Sequence, residues 1–132
     1  MLETIHRIKK TILDGLALKG YDPVAYHTEG RAIEGRKEFA HEYANATWRF
    51  ASPNNRDRFV ADPKKYAPQY GGYCAWGISQ GKFLDGDPQV WQIVDGTLYV
   101  HYNKAIQKTW ERDIPGLIAK ADGHWSTMEQ LD

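Results

Sequence analysis

The run V90-W91-Q92-I93-V94-D95-G96-T97-L98-Y99-V100-H101-Y102 decides the fold of this chain. Two apolar stretches flank Asp95-Gly96, a dipeptide suited to both left-handed positions of a type I′ turn. That turn fixes the register. Pairing Val94 with Thr97 sets Ile93 opposite Leu98 and Trp91 opposite Val100 on one face, which reads as core. On the other face Gln92 opposes Tyr99 and Val90 opposes His101, a mixed set.

Working outward, Asn103 is placed to cap a helix carrying Ile106 and Trp110, and Asp113 with Pro115 opens another bearing Leu117, Ile118 and Ala121. Upstream, Phe39 to Ala51 is rich in strand formers and is interrupted at Asn45, so it reads as a second hairpin. Ser52-Pro53 pairs a hydroxyl N-cap with proline at the first helical position, with Phe59 and Val60 as the expected buried side. Asp62-Pro63 restarts that helix. Gly15 to Tyr21 reads as a strand entering a turn at Asp22-Pro23. Tyr70 to Gly81 interleaves glycines with aromatics, a composition that favours close backbone approach over regular structure. Hairpins flanked by short helices, without βαβ alternation, predict an α+β domain built on a small antiparallel sheet.

Composition narrows the function classes. The chain has 132 residues, room for one domain over residues 15–132 preceded by a segment 1–14. In that segment Leu2, Ile5, Ile8 and Ile12 recur at helical spacing, which predicts an amphipathic helix or tail. Seventeen basic and seventeen acidic side chains balance, so no broad cationic surface for nucleic acid is expected. No stretch approaches the roughly 18 apolar residues of a membrane span, and no export signal is legible, so the chain reads as cytoplasmic as written. Neither GxGxxG nor GxxxxGK[ST] occurs, which removes the standard phosphate cradles. The single cysteine, Cys74, forbids an internal disulfide and any site needing several thiolates from one chain.

The segments GYDPVAYHTEG (20–30) and WRFASPNNRDRFVADPKKYAPQYGGYCAWG (48–77), with the hairpin and helices after them, resemble YHS domain-containing proteins. The parts come in that family's order: a DPV turn, an aromatic-F-x-S before a helix, then Phe59, Asp62, Pro63 and Tyr66 in F-x-x-D-P-x-x-Y. The resemblance implies an α+β fold and a role in metal handling or small-ligand binding. Short YHS domains look like cysteine-based metal sites, with one Cys after DPV and two in an F-C-S-x-x-C run. Here Ala25, Ala51 and Asn55 stand at those three positions. The chain therefore resembles the long form of the family, which lacks the metal-binding cysteines and whose members often look exported.

Several side chains are candidates for a site. Cys74, His27 and His101 would suit zinc or copper if folding gathered them, and His27 follows the DPV turn closely. Each also has an ordinary structural role open to it, the thiol as a small buried hydrophobe and the imidazoles as packed or solvated groups. Tyr21, Tyr26, Tyr70, Tyr73 and Trp76 fall in the least regular segments and could line an apolar pocket with hydroxyl handles. The leading expectation is a non-enzymatic binding module for a metal ion or small ligand, its site near the DPV turn and the Tyr70–Gly77 loop. A thiol-dependent enzyme using Cys74 with His101 as base is one alternative. An interaction or scaffold protein, a homo-oligomer in its simplest form, is the other.

Overall fold

The structure, a computed structural model, describes residues 7–131 and is α+β. Strands β1 (Arg36–Tyr43) and β2 (Ala46–Phe50) form one antiparallel hairpin, and β3 (Asp87–Val94) and β4 (Thr97–His101) form another. The expected single sheet is thus two separate two-stranded sheets. Six helices complete the described residues: α1 (Ala25–Thr28), α2 (Pro53–Ala61), α3 (Pro63–Tyr66), α4 (Ala75–Ser79), α5 (Lys104–Glu111) and α6 (Ile114–Met128). None is long and apolar enough to cross a membrane.

Local chemistry accounts for most boundaries. Asp95 and Gly96 both take positive φ, 50° and 80°, as a type I′ turn requires. The pairs Val94–Thr97, Ile93–Leu98, Gln92–Tyr99 and Trp91–Val100 form as read. A bulge then intervenes, so His101 pairs with Asp87 and not with Val90. Ser52, Asn103 and Asp113 each accept a hydrogen bond from the amide three residues on, capping α2, α5 and α6. Phe59 is buried but its expected companion Val60 is half exposed, because only one face of α2 meets the core.

Three expectations need correction. Gly15 to Tyr21 is not a strand: Leu16 and Ala17 make isolated bridges, and Leu18–Gly20 is a left-handed turn with φ of 50°, 51° and 87°. The glycine-rich stretch does contain a helix, α4, which Cys74 caps. Of the N-terminal helix pattern, Leu2 and Ile5 lie outside the described residues, as does His6. Ile8 to Asp14 shows no helix, and Ile12 and Leu13 stand almost fully exposed on a turn.

The core has two parts with β4 between them. Leu98 and Val100 join Val24, Tyr26, Trp48, Phe50 and Phe59 in the first. Tyr99, of opposite parity, joins Tyr70, Ile78, Trp110 and Ala121 in the second. The face of β4 read as mixed is therefore buried, because α4, α5 and α6 cover it. Trp48 illustrates the packing of the first part: its ring lies 4.9 Å from Phe59, and its indole N–H donates to the Tyr43 carbonyl at 2.9 Å. Burying such a ring contributes a few kcal/mol, about 25 cal/mol for each Å² removed from water.

Candidate functional site

The DPV turn is organised by one carboxylate. Asp22 is fully buried, and its Oδ1 accepts from the amides of Val24 at 2.8 Å and Ala25 at 3.4 Å. Its Oδ2 accepts from the Ala51 amide and from Asn55 Nδ2, both at 2.8 Å. Buried carboxylates persist where donors satisfy their oxygens, and here four do. Ala25, Ala51 and Asn55, the positions that carry thiolates in the short-domain pattern, therefore do converge. They converge on Asp22, to which each supplies a hydrogen-bond donor, and no thiolate stands among them.

The proposed metal ligands are placed apart in function. Cys74 is fully buried, and its Sγ accepts from the Gly77 amide at 3.5 Å as the N-cap of α4. Burial pushes its thiol pKa up, against weaker opposing bonds from backbone amides, so the group is held protonated. His101 is fully buried against Trp110, with Nε2 3.1 Å from Gln92 Oε1 and Nδ1 unpartnered among the described residues. Burial lowers its pKa to about 4, so it is neutral at pH 7. His27 packs edge-on against Tyr66 at 5.4 Å and is shifted down, mainly by burial. Among the described residues no three His, Cys, Asp or Glu side chains form a group that could hold a metal ion. Among the described residues Cys74, His27 and His101 are therefore not gathered into one metal-holding group, although His27 Nε2 and His101 Nδ1 are both buried without a hydrogen-bond partner there.

The aromatic candidates separate as well. Tyr26 is buried, donates to the Pro88 carbonyl at 2.7 Å and packs edge-on against Trp91. Its pKa is pushed far up by burial first, then by neighbouring Tyr21 and acidic groups. Tyr21 accepts from Gln89 Nε2 at 2.8 Å. Tyr73 accepts from Arg7 Nε at 3.0 Å and packs on Phe83, while Trp76 packs against the second part of the core. Tyr70, by contrast, lines a cavity.

That cavity is a surface groove of about 230 Å³. One side is the N-terminal strap, Arg7 and Ile8; another is Lys64 with the segment from Ala67 to Gly71; Tyr43 and Trp125 close it. Its floor is a left-handed turn in which Tyr70, Gly71 and Gly72 have φ of 55°, 64° and 85°. Glycine is required at 71, since a Cβ there would sit 1.9 Å from the Arg7 carbonyl oxygen. The close approach lets the Lys9 amide donate to the Gly71 carbonyl at 2.8 Å, holding the strap down. Tyr70 tolerates the strained conformation because its ring packs between Tyr99 and Trp125 and its hydroxyl donates to Asp122 Oδ1 at 2.8 Å. Burial and that carboxylate push its pKa far up, so it stays a neutral phenol.

Among the described residues two cations, Arg7 and Lys64, line the groove, and no carboxylate does. The Arg7 guanidinium is fixed by its bond to Tyr73, by a second donation to the Leu131 carbonyl, and by stacking over Phe83 at 4.5 Å. The sequence reading singles out Tyr70 and not the other side chains that line this groove. Arg7, Tyr43, Lys64 and Trp125 come from four separate regions, and no local spacing relates them.

The YHS domain family model matches residues 24–70. The match takes in the four donors to Asp22, though not Asp22 itself, and ends on Tyr70, at the floor of the groove. No curated protein and no solved structure matches the chain.

Proposed function

The chain is a YHS domain-containing protein, and from that premise we propose that it is a non-catalytic binding module whose small ligand lies in the groove between the strap, the Ala67–Gly71 segment and Trp125. The groove is the observation that carries this reading. It joins a strained, over-determined floor to aromatic walls and a few polar groups, the usual make-up of a small-molecule site. The thiol-enzyme alternative finds less support, since Cys74 is buried, protonated and engaged as a helix cap. The metal reading would need a donor set other than the expected trio.

Ala67→Trp should fill the groove from a partly buried position at its wall. Thermal unfolding with a panel of small aromatic and aliphatic acids, amides and alcohols, and with Zn²⁺ and Cu²⁺, tests the reading. Some organic members should raise the Tm of the parent and leave that of Ala67→Trp unmoved. Equal shifts in both proteins would overturn the assignment. So would stoichiometric metal binding abolished by Cys74→Ala with His101→Ala.

A further inference from the structure

Resting on the groove as the binding site, we infer that Arg7 is its clasp: the side chain ties the strap on one side of the groove to the Trp125 wall on another, and its guanidinium governs ligand affinity through those walls and not by contact with the ligand. The two ends of this residue have different partners. Its backbone carbonyl lies against Gly71, so closely that only glycine fits, which puts the main chain of Arg7 at the groove floor. Its guanidinium is engaged elsewhere. Nε donates to the Tyr73 hydroxyl at 3.0 Å, Nη1 donates to the Leu131 carbonyl, and Cζ lies 4.5 Å from the centre of the Phe83 ring. None of those three residues lines the groove.

All three support Trp125, which does. Tyr73 and Phe83 pack on its indole, with ring centroids 6.1 Å and 6.5 Å away. Leu131 follows α6, the helix that carries Trp125, and its amide donates back to the Met128 carbonyl at 3.1 Å. A planar guanidinium holds a hydroxyl, a carbonyl and a ring face at once, because its donors are fixed in one plane; a point-like ammonium does not. On the strap, the Lys9 amide is bonded to the Gly71 carbonyl and Ile8 packs on the first part of the core. Arg7 therefore joins two walls that stand 124 residues apart in sequence. A small molecule seated between Ile8 and Trp125 meets both walls, and holding them in advance lowers the ordering cost of binding. Linkage makes the effect mutual: occupancy of the groove disfavours release of the strap by the same factor.

Arg7→Met removes the donors from a half-buried surface position, and Arg7→Lys keeps the charge without the fork. In Arg7→Met the Lys9 amide should exchange with solvent about tenfold faster, the scale of one lost charge-assisted hydrogen bond. The Trp125 indole resonance should shift, while the Val24 and Ala51 amides, held by Asp22, exchange as in the parent. Calorimetric titration with benzoate, benzamide and benzyl alcohol, an acid, an amide and an alcohol of similar shape, reads the effect on the groove. Arg7→Met should bind each of them about tenfold more weakly, by a common factor, with Arg7→Lys in between. A loss confined to benzoate would make the guanidinium a contact of the anion and overturn the clasp. Unchanged Lys9 exchange with an unmoved Trp125 indole would overturn it too, whether or not a probe binds. Equal binding by the parent and Arg7→Met would overturn it and leave the groove assignment standing. If the wider panel fails to distinguish the parent from Ala67→Trp, the groove assignment falls, and the effect of Arg7 on affinity falls with it.

Discussion

His101 carries two consequences of burial in one side chain. It has no exposed surface, one nitrogen meets Gln92, and the other has no partner among the described residues. The unfolded chain protonates this imidazole near its ordinary value of 6.5, whereas the folded protein does so only near pH 4. Between those values the unfolded state binds more protons, so stability is full above pH 6.5 and is lost as pH falls towards 4. The shift corresponds to about 3 kcal/mol at its limit. Half-buried His27 adds in the same sense. Urea denaturation at pH 7.0, 5.5 and 4.5 should therefore show a decline that is much shallower in His101→Leu; parallel declines would refute the assignment. His101 was legible in sequence as a notable residue on the less apolar face of its strand. Its burial was not, because α5 supplies the covering Trp110 from outside the hairpin.

At the scale of the element, the Asp22 network is a buried polar anchor. It ties the DPV turn to the start of α2 through two oxygens and four donors. Asp22→Ala would leave those donors unpaired beside a buried cavity, a loss of about 2 to 4 kcal/mol in urea denaturation. Asp22→Asn keeps the shape but turns an NH₂ towards donors, so it should recover part of that loss at most. Full stability in Asp22→Ala would show that the turn holds without its anchor. Elements set by local chemistry were legible in sequence: the Asp95-Gly96 turn gave four correct pairs, and Ser52, Asn103 and Asp113 marked three helix starts. Elements set by distant contacts were not. The bulge before Trp91 displaced Val90 from His101, and the three successive left-handed residues at Leu18–Gly20 replaced an expected strand. Helix α4 escaped notice because Gly77 lowers helix propensity. A Cβ at that position would meet the Leu84 side chain at 2.9 Å, so packing overrides propensity there.

At the scale of the whole molecule, β4 separates two parts of the core, and the groove opens where segments from both meet at the surface. Tyr43 comes from the hairpin that packs on the first part, Tyr70 from the second, Trp125 from α6 and Arg7 from the strap. Such a site has no signature in a linear sequence. What sequence offered was its floor: glycines interleaved with aromatics, read as a place of close backbone approach, which Gly71 against Arg7 bears out. The three substituted cysteine positions were equally legible, and their convergence on Asp22 gives that substitution a physical meaning.

The central claim is that ligand recognition resides in the groove and not at the DPV turn or around Cys74. Backbone and indole chemical-shift mapping by ¹H–¹⁵N NMR, with the tightest-binding member of the small-molecule panel, tests it most directly. The expected result is a saturable set of shifts centred on Ile8, Ala67, Gln69, Gly71 and the Trp125 indole, with Asp22, Ala25 and Asn55 unmoved. Shifts centred on the Asp22 network, or on Cys74 and His101, would contradict the account.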